Sequence, residues 1–423
     1  MVGKAMHGGY WLLALAMACG VVRAADVEQV YTIPLEKFDL PASGGGTYPK
    51  YGIWLSLGSS TTPQVFEFDT GGEGLYAAHS ADAAWWGADV TEETTSIDKN
   101  FGSGLEYTGK VAKTSVAFYN PHSTTQVLAT TAADYKVGKS EHIVNTDTST
   151  DLWPPATVGG NPKPPVDGKF YGDFGLSLKK GDHGIENVFA QLSYGGGVTA
   201  GYIVSLGERG SSQQPGIQVG LAASDLTNPD TVWFTMAAGP AGELFEHSGL
   251  ETYAAELISA SLYLSGAGGK SATLSDLGLN LDTGNGSPGI LYQQDSADET
   301  ALTPVSNVDV DGNLTGLQDG LQLTLVGTDA NGNSVTLDQF LTGSTYGTDL
   351  VWEEYRGDGQ ETYMNIGQLL FEKYAVTYDL ENGQLGLTPY AVPEPGTAAM
   401  LLLGAAGALI VGRRWSVMRS QAG

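Results

Sequence analysis

Apolar residues along this chain come in short bursts. Tyr51 to Leu57 (YGIWLSL) and Gln64 to Phe68 (QVFEF) alternate or run apolar on either side of Gly58-Ser59. Bursts of that length, bounded by glycine and small polar residues, predict strands joined by tight turns. Gly102-Ser103-Gly104, Asp311-Gly312-Asn313 and Gly332 between Asn331 and Asn333 are further hairpin-turn signals, because these residue types tolerate a positive φ. The proline-rich stretch from Pro154-Pro155 to Pro164-Pro165 predicts an exposed loop. One segment carries helical spacing. Glu186 to Tyr194 (ENVFAQLSY), stopped by Gly195-Gly196-Gly197, predicts a short helix.

No short-period repeat is present; the internal symmetry is twofold and large. Asp69-Thr70-Gly71 and Asp282-Thr283-Gly284 lie 213 positions apart (282 minus 69), each at the end of an apolar run. A lone Asp-Thr-Gly is an ordinary turn sequence. Its repetition with the same flanks delivers two carboxylates by the same strand-plus-turn device. If the copies meet, one Asp holds a proton while the other stays ionised, since like charges a few ångströms apart cannot both ionise cheaply.

Composition narrows the picture further. The 423 residues suffice for two domains with full cores. Forty-seven acids against 20 bases give a net charge of −27, yet only 16% of residues are charged and 41% are hydrophobic, so the chain is an acidic globular protein and not a disordered polyanion. Such a surface repels phosphate and excludes nucleic acid as a partner. The 59 glycines fit many strands and turns.

The two ends carry their own signals. Lys4, the apolar stretch Tyr10 to Val22 and the small-residue site Val22-Arg23-Ala24 predict a secretory leader over 1–24, removed by signal peptidase at Ala24 or Ala25. Cys19, the only cysteine, falls within it, so the mature protein is expected to have no disulfide. At the other end Val392-Pro393-Glu394-Pro395 precedes an apolar stretch from Thr397 to Gly412, then Arg413-Arg414. This resembles the PEP-CTERM sorting signal of Gram-negative bacteria, processed by an exosortase. On that reading 392–414 hold the signal with a short transmembrane helix, and 415–423 a basic cytoplasmic tail. The other reading is a plain membrane anchor, for which the stretch is short against the ~20 residues a span needs.

With the paired motifs in hand, the chain resembles a pepsin-like aspartic peptidase. Pro34 to Gly72 is similar to the family's segment leading into its first catalytic loop, and Asn100 to Phe118 (NFGSGLEYTGKVAKTSVAF) to its flap hairpin and following strand. Tyr171 to Leu178 (YGDFGLSL) resembles the apolar-apolar-Gly strand that braces that loop. ENVFAQLSYGGG with AGYIVSLGE matches the next helix and strand, and Asn365 to Tyr390 the closing segment, with Ile366-Gly367 as the second brace. The resemblance implies an all-β, bilobal fold with few short helices, an N-terminal lobe over 26–220 and a C-terminal lobe over 221–391. It implies Asp69 and Asp282 as catalytic residues, with Thr70, Gly71, Thr283 and Gly284 in support. It further implies Phe101, Gly102 and Ser103 of the flap, with Tyr76 opposite, as substrate-binding residues. A polypeptide substrate, a monomer and a reaction needing no metal or organic cofactor are what the resemblance leads one to expect.

Three positions depart from the family pattern. It carries Ser or Thr after each motif, donating to the outer oxygen of the Asp; here stand Gly72, which has no side-chain donor, and Asn285, whose amide could donate. The flap Tyr is Phe101, and its large aromatic partner is Tyr76 instead of Trp. Losing a donor raises a carboxyl pKa, and Gly72→Ser is expected to restore one. The alternative to an exported endopeptidase is a catalytically inactive surface or binding protein of the cell envelope or extracellular polysaccharide.

Other constellations carry less. The six histidines have no metal-ligand spacing. Asp309, Asp311 and Asn313, like Asp329, Asn331 and Asn333, echo a calcium loop but lack its sixth-position Gly and twelfth ligand, so hairpin turns are expected. No Gly-x-Ser-x-Gly sits at a strand-to-helix turn, against a serine hydrolase. Trp85-Trp86 fits packing better than a sugar-stacking surface.

Overall fold

The computed structural model describes residues 26–42, 46–154, 163–343, 350–355 and 361–390. The expected secretory leader, the expected sorting signal with its basic tail, and most of the proline-rich stretch lie outside these residues. Among the described residues three large sheets form. An 11-stranded sheet takes the strands between Glu36–Pro41 and Gly172–Gly175, and a 9-stranded sheet those between Ile258–Ser265 and Tyr363–Asn365. A 6-stranded sheet joins strands from both halves: Tyr31–Pro34, Thr199–Ser205 and Gly216–Leu221 with Val232–Thr235, Tyr374–Asp379 and Gln384–Pro389. The architecture is the bilobal, all-β one expected.

The same local plan appears twice. Strand Gln64–Asp69 runs into the first Asp-Thr-Gly turn, the chain returns as Leu75–Ala78, and Gly172–Gly175 lies between them, parallel to the first and antiparallel to the second. In the other half Ser271–Asn280 precedes the second turn, the chain returns as Gly289–Tyr292, and Tyr363–Asn365 is inserted likewise. A parallel neighbour cannot come from a hairpin, so each motif is braced by a strand that arrives after a long excursion.

Burial follows sheet position. Ile258–Ser265 alternates buried and less buried residues, as expected for a sheet with one wet face, whereas Leu75–Ala78 and Gly172–Gly175 are buried at every position because layers cover both faces. The expected turns form. Asp309 Oδ1 accepts from the Asp311 and Asn313 amides at 2.9 Å, and Asp329 does the same for Asn331 and Asn333 at 2.9 and 2.8 Å. These loops are polar turn closures. Trp85 and Trp86 both donate their indole N–H to the Ala78 carbonyl, and Trp85 is buried against Trp153 and Tyr171, a packing role.

The expected helix over Glu186 to Tyr194 is not formed. A single 3₁₀ turn, Phe189–Gln191, takes its place, and Ser193–Tyr194 pairs as a strand with Asp26–Val27. Asn187 explains the change. Its Oδ1 accepts from the Phe189 and Ala190 amides, closing a side-chain turn, while its Nδ2 donates to the Leu176 carbonyl at 2.7 Å. Glu186 to Leu192 is buried on all sides, so the apolar spacing that suggested one helix face reflects enclosure instead.

Phe189 sits at the centre of an aromatic cluster. Its ring centroid lies 5.6 Å from Phe118, 5.5 Å from Phe174 and 5.8 Å from Tyr202, and Tyr202 stacks on Tyr378 at 4.7 Å. The cluster ties the first bracing strand to the 6-stranded sheet. Phe189→Ala is therefore expected to cost about 3–5 kcal/mol of stability through the cavity it leaves. Denaturant unfolding would report this as a lower midpoint at unchanged slope, and a loss under about 1 kcal/mol would mean the cluster collapses without penalty.

Candidate active site

The two Asp-Thr-Gly turns meet. Thr70 N–H donates to Thr283 Oγ1 and Thr283 N–H to Thr70 Oγ1, both at 3.0 Å. Each hydroxyl then donates across the divide, Thr70 to the Leu281 carbonyl at 2.7 Å and Thr283 to the Phe68 carbonyl at 2.9 Å. The exchange is reciprocal, so each loop satisfies the other's buried backbone groups. Gln368 adds a lock, its amide donating to the Thr283 carbonyl at 3.0 Å and the Pro49 carbonyl at 2.8 Å.

That grip sets the carboxyls face to face. A Cβ on Gly71 would lie 2.5 Å from Asp282 Cγ, and one on Gly284 would lie 2.6 Å from Asp69 Cγ. Each carboxyl thus rests on the opposite loop's glycine, and no side chain fits there. Gly71 N–H donates to Asp69 Oδ1 at 2.7 Å, as expected for a tight turn. Burial first, and then the Asp282 carboxyl with which it shares a hydrogen bond, hold Asp69 well above the usual carboxylate range, despite backbone donors from Gly71 and Gly72 that oppose this. Two carboxyls this close share a proton over an extended pH range.

The donor to the second Asp is not the Asn285 amide. Asn285 offers its backbone N–H to Asp282 Oδ1 at 3.2 Å, and its side-chain oxygen accepts from the Ser287 amide at 3.4 Å. The side-chain donor is Asn365 on the bracing strand, whose Nδ2 reaches Asp282 Oδ2 at 2.6 Å. The sequence reading had Asn365 only as the first residue of the closing segment; its place before Ile366-Gly367 on a brace was the available signal.

The flap forms as expected. Thr91–Asn100 and Leu105–Thr114 pair antiparallel around Phe101 to Gly104, closed by the Phe101 amide to the Leu105 carbonyl at 2.9 Å. Gly102 and Ser103 are exposed at its tip. Phe101 packs edge-on against Tyr76 at 5.8 Å and Tyr107 at 5.1 Å, and Tyr76 touches Tyr107 at 6.1 Å. Tyr107 is a third member of this aromatic set that the sequence reading did not single out. The flap is also fastened by charge. Lys99, on its first strand, pairs at 2.7 Å with Glu73, the residue after Gly72, and Lys179 pairs with Glu73 as well.

A second acidic group borders the first motif. Glu67, two residues before Asp69, pairs with Lys50 at 2.5 Å, and Lys50 also reaches Asp167 at 3.1 Å. Burial, assisted by Asp69 and outweighing Lys50, pushes Glu67 up to about 7. Asp173, opposite Glu67 on the bracing strand, is 4% exposed, and burial with Asp69 and Glu67 raises it well above the carboxylate range. Sequence reasoning missed it, since Tyr171 to Leu178 matches the brace as a whole.

A search of the solved structures matches this chain to the aspartic proteinase from Irpex lacteus. The TM-score is 0.50 at 16% identity, and the alignment covers 87% of this chain and 99% of that chain. The chain has the pepsin-like aspartic proteinase fold. No protein-family model matches the sequence, and neither does any of the curated proteins.

The buried acids couple stability to pH. A carboxyl whose folded pKa is raised contributes stability that is fully present below its unfolded pKa and lost as pH rises through the folded value. For Glu67 that window runs from 4.5 to about 7. The melting temperature is expected to fall across this window, and Glu67→Gln to flatten the fall. Equal slopes for wild type and variant in a calorimetric pH series would show that Glu67 titrates normally.

Proposed function

We propose that the protein is an endopeptidase that hydrolyses peptide bonds with water activated between Asp69 and Asp282. The observation that carries this reading is the reciprocal threonine exchange, which holds two half-buried, proton-sharing carboxyls against each other's glycine. The ionised carboxyl takes a proton from water as its oxygen attacks the peptide carbonyl carbon, and the protonated one gives its proton to the carbonyl oxygen. The resulting diol collapses as a proton passes to the nitrogen and the C–N bond breaks. Thr70 and Thr283 fix the spacing, Asn365 orients Asp282, and Phe101 with Tyr76 supplies an apolar wall that favours apolar side chains on the substrate. The likeness to the aspartic proteinase from Irpex lacteus supports the reading at the level of fold.

The test is cleavage of an unfolded protein across about pH 3 to 7, with and without a statine-type inhibitor. Asp69→Asn and Asp282→Asn are each expected to lower kcat by at least ~10²–10⁴-fold, because neither carboxyl alone can be acid and base together. Near-wild-type turnover in either variant would remove that residue from the mechanism. A folded wild type that cleaves nothing and binds no statine would favour the binding-protein alternative.

We further propose that the protein is exported and then processed near Pro393-Glu394-Pro395, with the domain facing outward. The support is the leader-like N-terminus and the coincidence of Pro-Glu-Pro, a short apolar stretch and an Arg pair. Mass spectrometry of envelope and medium fractions is expected to find a protein ending near Pro395. Mature protein containing peptides from Thr397 to Arg414 would make the segment a simple anchor.

A further inference from the structure

The first motif lacks its side-chain donor, and the structure shows what occupies the space. A Cβ on Gly72 would lie 2.6 Å from Asp173 Oδ2 and 2.8 Å from Asp69 Oδ2. The carboxyl of Asp173 therefore fills the position a residue 72 side chain would take, alongside the outer oxygen of Asp69. A serine at 72 enters only if the Asp173 carboxyl moves aside, so the donor expected from Gly72→Ser comes with the displacement of Asp173.

The other half of the site shows what such a residue does. Asp173-Phe174-Gly175 and Asn365-Ile366-Gly367 occupy matching places on the two bracing strands, each polar residue followed by a buried apolar one and a glycine. Asn365 donates to Asp282 Oδ2 at 2.6 Å. Asp173 Oδ2 and Asp69 Oδ2 both border the point a Gly72 Cβ would occupy, and Asp173 Oδ2 is buried with no hydrogen-bond partner among the described residues, so it lies at the corresponding place without a bond yet made. A carboxylate facing a carboxylate repels; a carboxylic acid donates, as the amide of Asn365 does. We infer that Asp173 is a positioning residue of the site, a protonated carboxyl that supports Asp69 from the space left by Gly72.

The surroundings favour the neutral form. Asp173 faces Asp69 and Glu67 from the neighbouring strand, Tyr76 across its other edge, Asp282 from the opposite loop and Tyr107 from the flap, with Lys50 as the nearby cation and Asp167 beyond it. Lys50 is already paired with Glu67 and Asp167, and the remaining charged neighbours are acids. Burial and those acids together hold the proton on Asp173. This deepens the peptidase reading and rests on it for its effect on turnover, whereas the protonation state and the shared space can be read without turnover.

The protonation state is read by carboxyl ¹³C NMR on aspartate-labelled full-length protein, the Asp173 signal being identified by its loss in Asp173→Asn. The signal is expected at the protonated position at about pH 5.5, where an ordinary Asp is ionised; an ionised Asp173 at that pH overturns the inference. The shared space is tested by a double-mutant cycle in unfolding. Gly72→Ser alone should destabilise, and Gly72→Ser with Asp173→Ala should be more stable than the two single effects predict; strict additivity would show that the two positions do not compete. In the peptidase assay Asp173→Ala is expected to lose roughly 10–100-fold in kcat with less effect on KM, as for a lost hydrogen bond to a charged group. Asp173→Asn keeps a neutral donor, so it should recover most of that loss and carry the alkaline limb to higher pH, one ionisation having been removed. An Asn variant as impaired as Ala, or an unmoved limb, overturns the positioning role. Wild-type protein that is inactive but carries a protonated Asp173 would sink the peptidase reading alone.

Discussion

Everything in this site depends on holding two acidic groups where electrostatics would push them apart. The reciprocal exchange between Thr70 and Thr283 does this with neutral groups. Each hydrogen bond contributes on the order of 1 kcal/mol net, but each buried amide or carbonyl left unpaired would cost about 1–3 kcal/mol. The loops therefore come apart only if four hydrogen bonds are given up together. With the loops fixed, the carboxyls cannot relax away from each other. The remaining way to lower their repulsion is to share a proton, and that shared proton is the chemical property the site offers.

The sheets supply the frame. A strand that ends in an Asp-Thr-Gly turn has a free edge, and in each half a strand from far along the chain fills it in parallel. Because the bracing strand lies directly beside the motif, the residue before its apolar-Gly pair faces the carboxyl. The two halves share this plan but differ in chemistry, Asn365 on one side and Asp173 on the other. An amide donates at any pH, while a carboxyl donates only when protonated, so the two Asp residues of the site do not have equivalent environments.

Charge distribution follows the same logic. Bases are scarce in this chain, 20 against 47 acids, yet Lys50 and Lys99 are spent on nearly buried carboxylates beside the first motif. Lys99 and Lys179 hold Glu73 below the usual range although burial opposes them, so that pair remains ionic and fastens the flap strand to the first Asp-Thr-Gly loop. Lys50 leaves Glu67 raised because burial dominates there. Two acids close in sequence thus take opposite protonation behaviour from the balance between burial and the cations that reach them.

The sequence by itself determined the parts that local chemistry dictates. Short apolar bursts between turn residues required strands, and Asp-Gly-Asn and Gly-Ser-Gly required hairpin turns. The repeated Asp-Thr-Gly named Asp69 and Asp282, because a duplicated strand-plus-turn is visible without knowing where the two copies lie. What the sequence could not supply were contacts between residues distant along the chain. The segment from Glu186 to Tyr194 has helical spacing, but Asn187 bonds to Leu176 and closes a turn instead. Asn285 sits next to its motif, yet the donor to Asp282 comes from Asn365, 83 positions from the Asp it serves. Asp173 carries no mark of its role within Tyr171 to Leu178, and only the packing of that strand against the first loop turned Gly72 from a missing side chain into the room that Asp173 fills. Side-chain type and local spacing are written along the chain; which carboxyl is desolvated, and by which neighbours, is decided only when strands from both ends of a sheet are laid side by side.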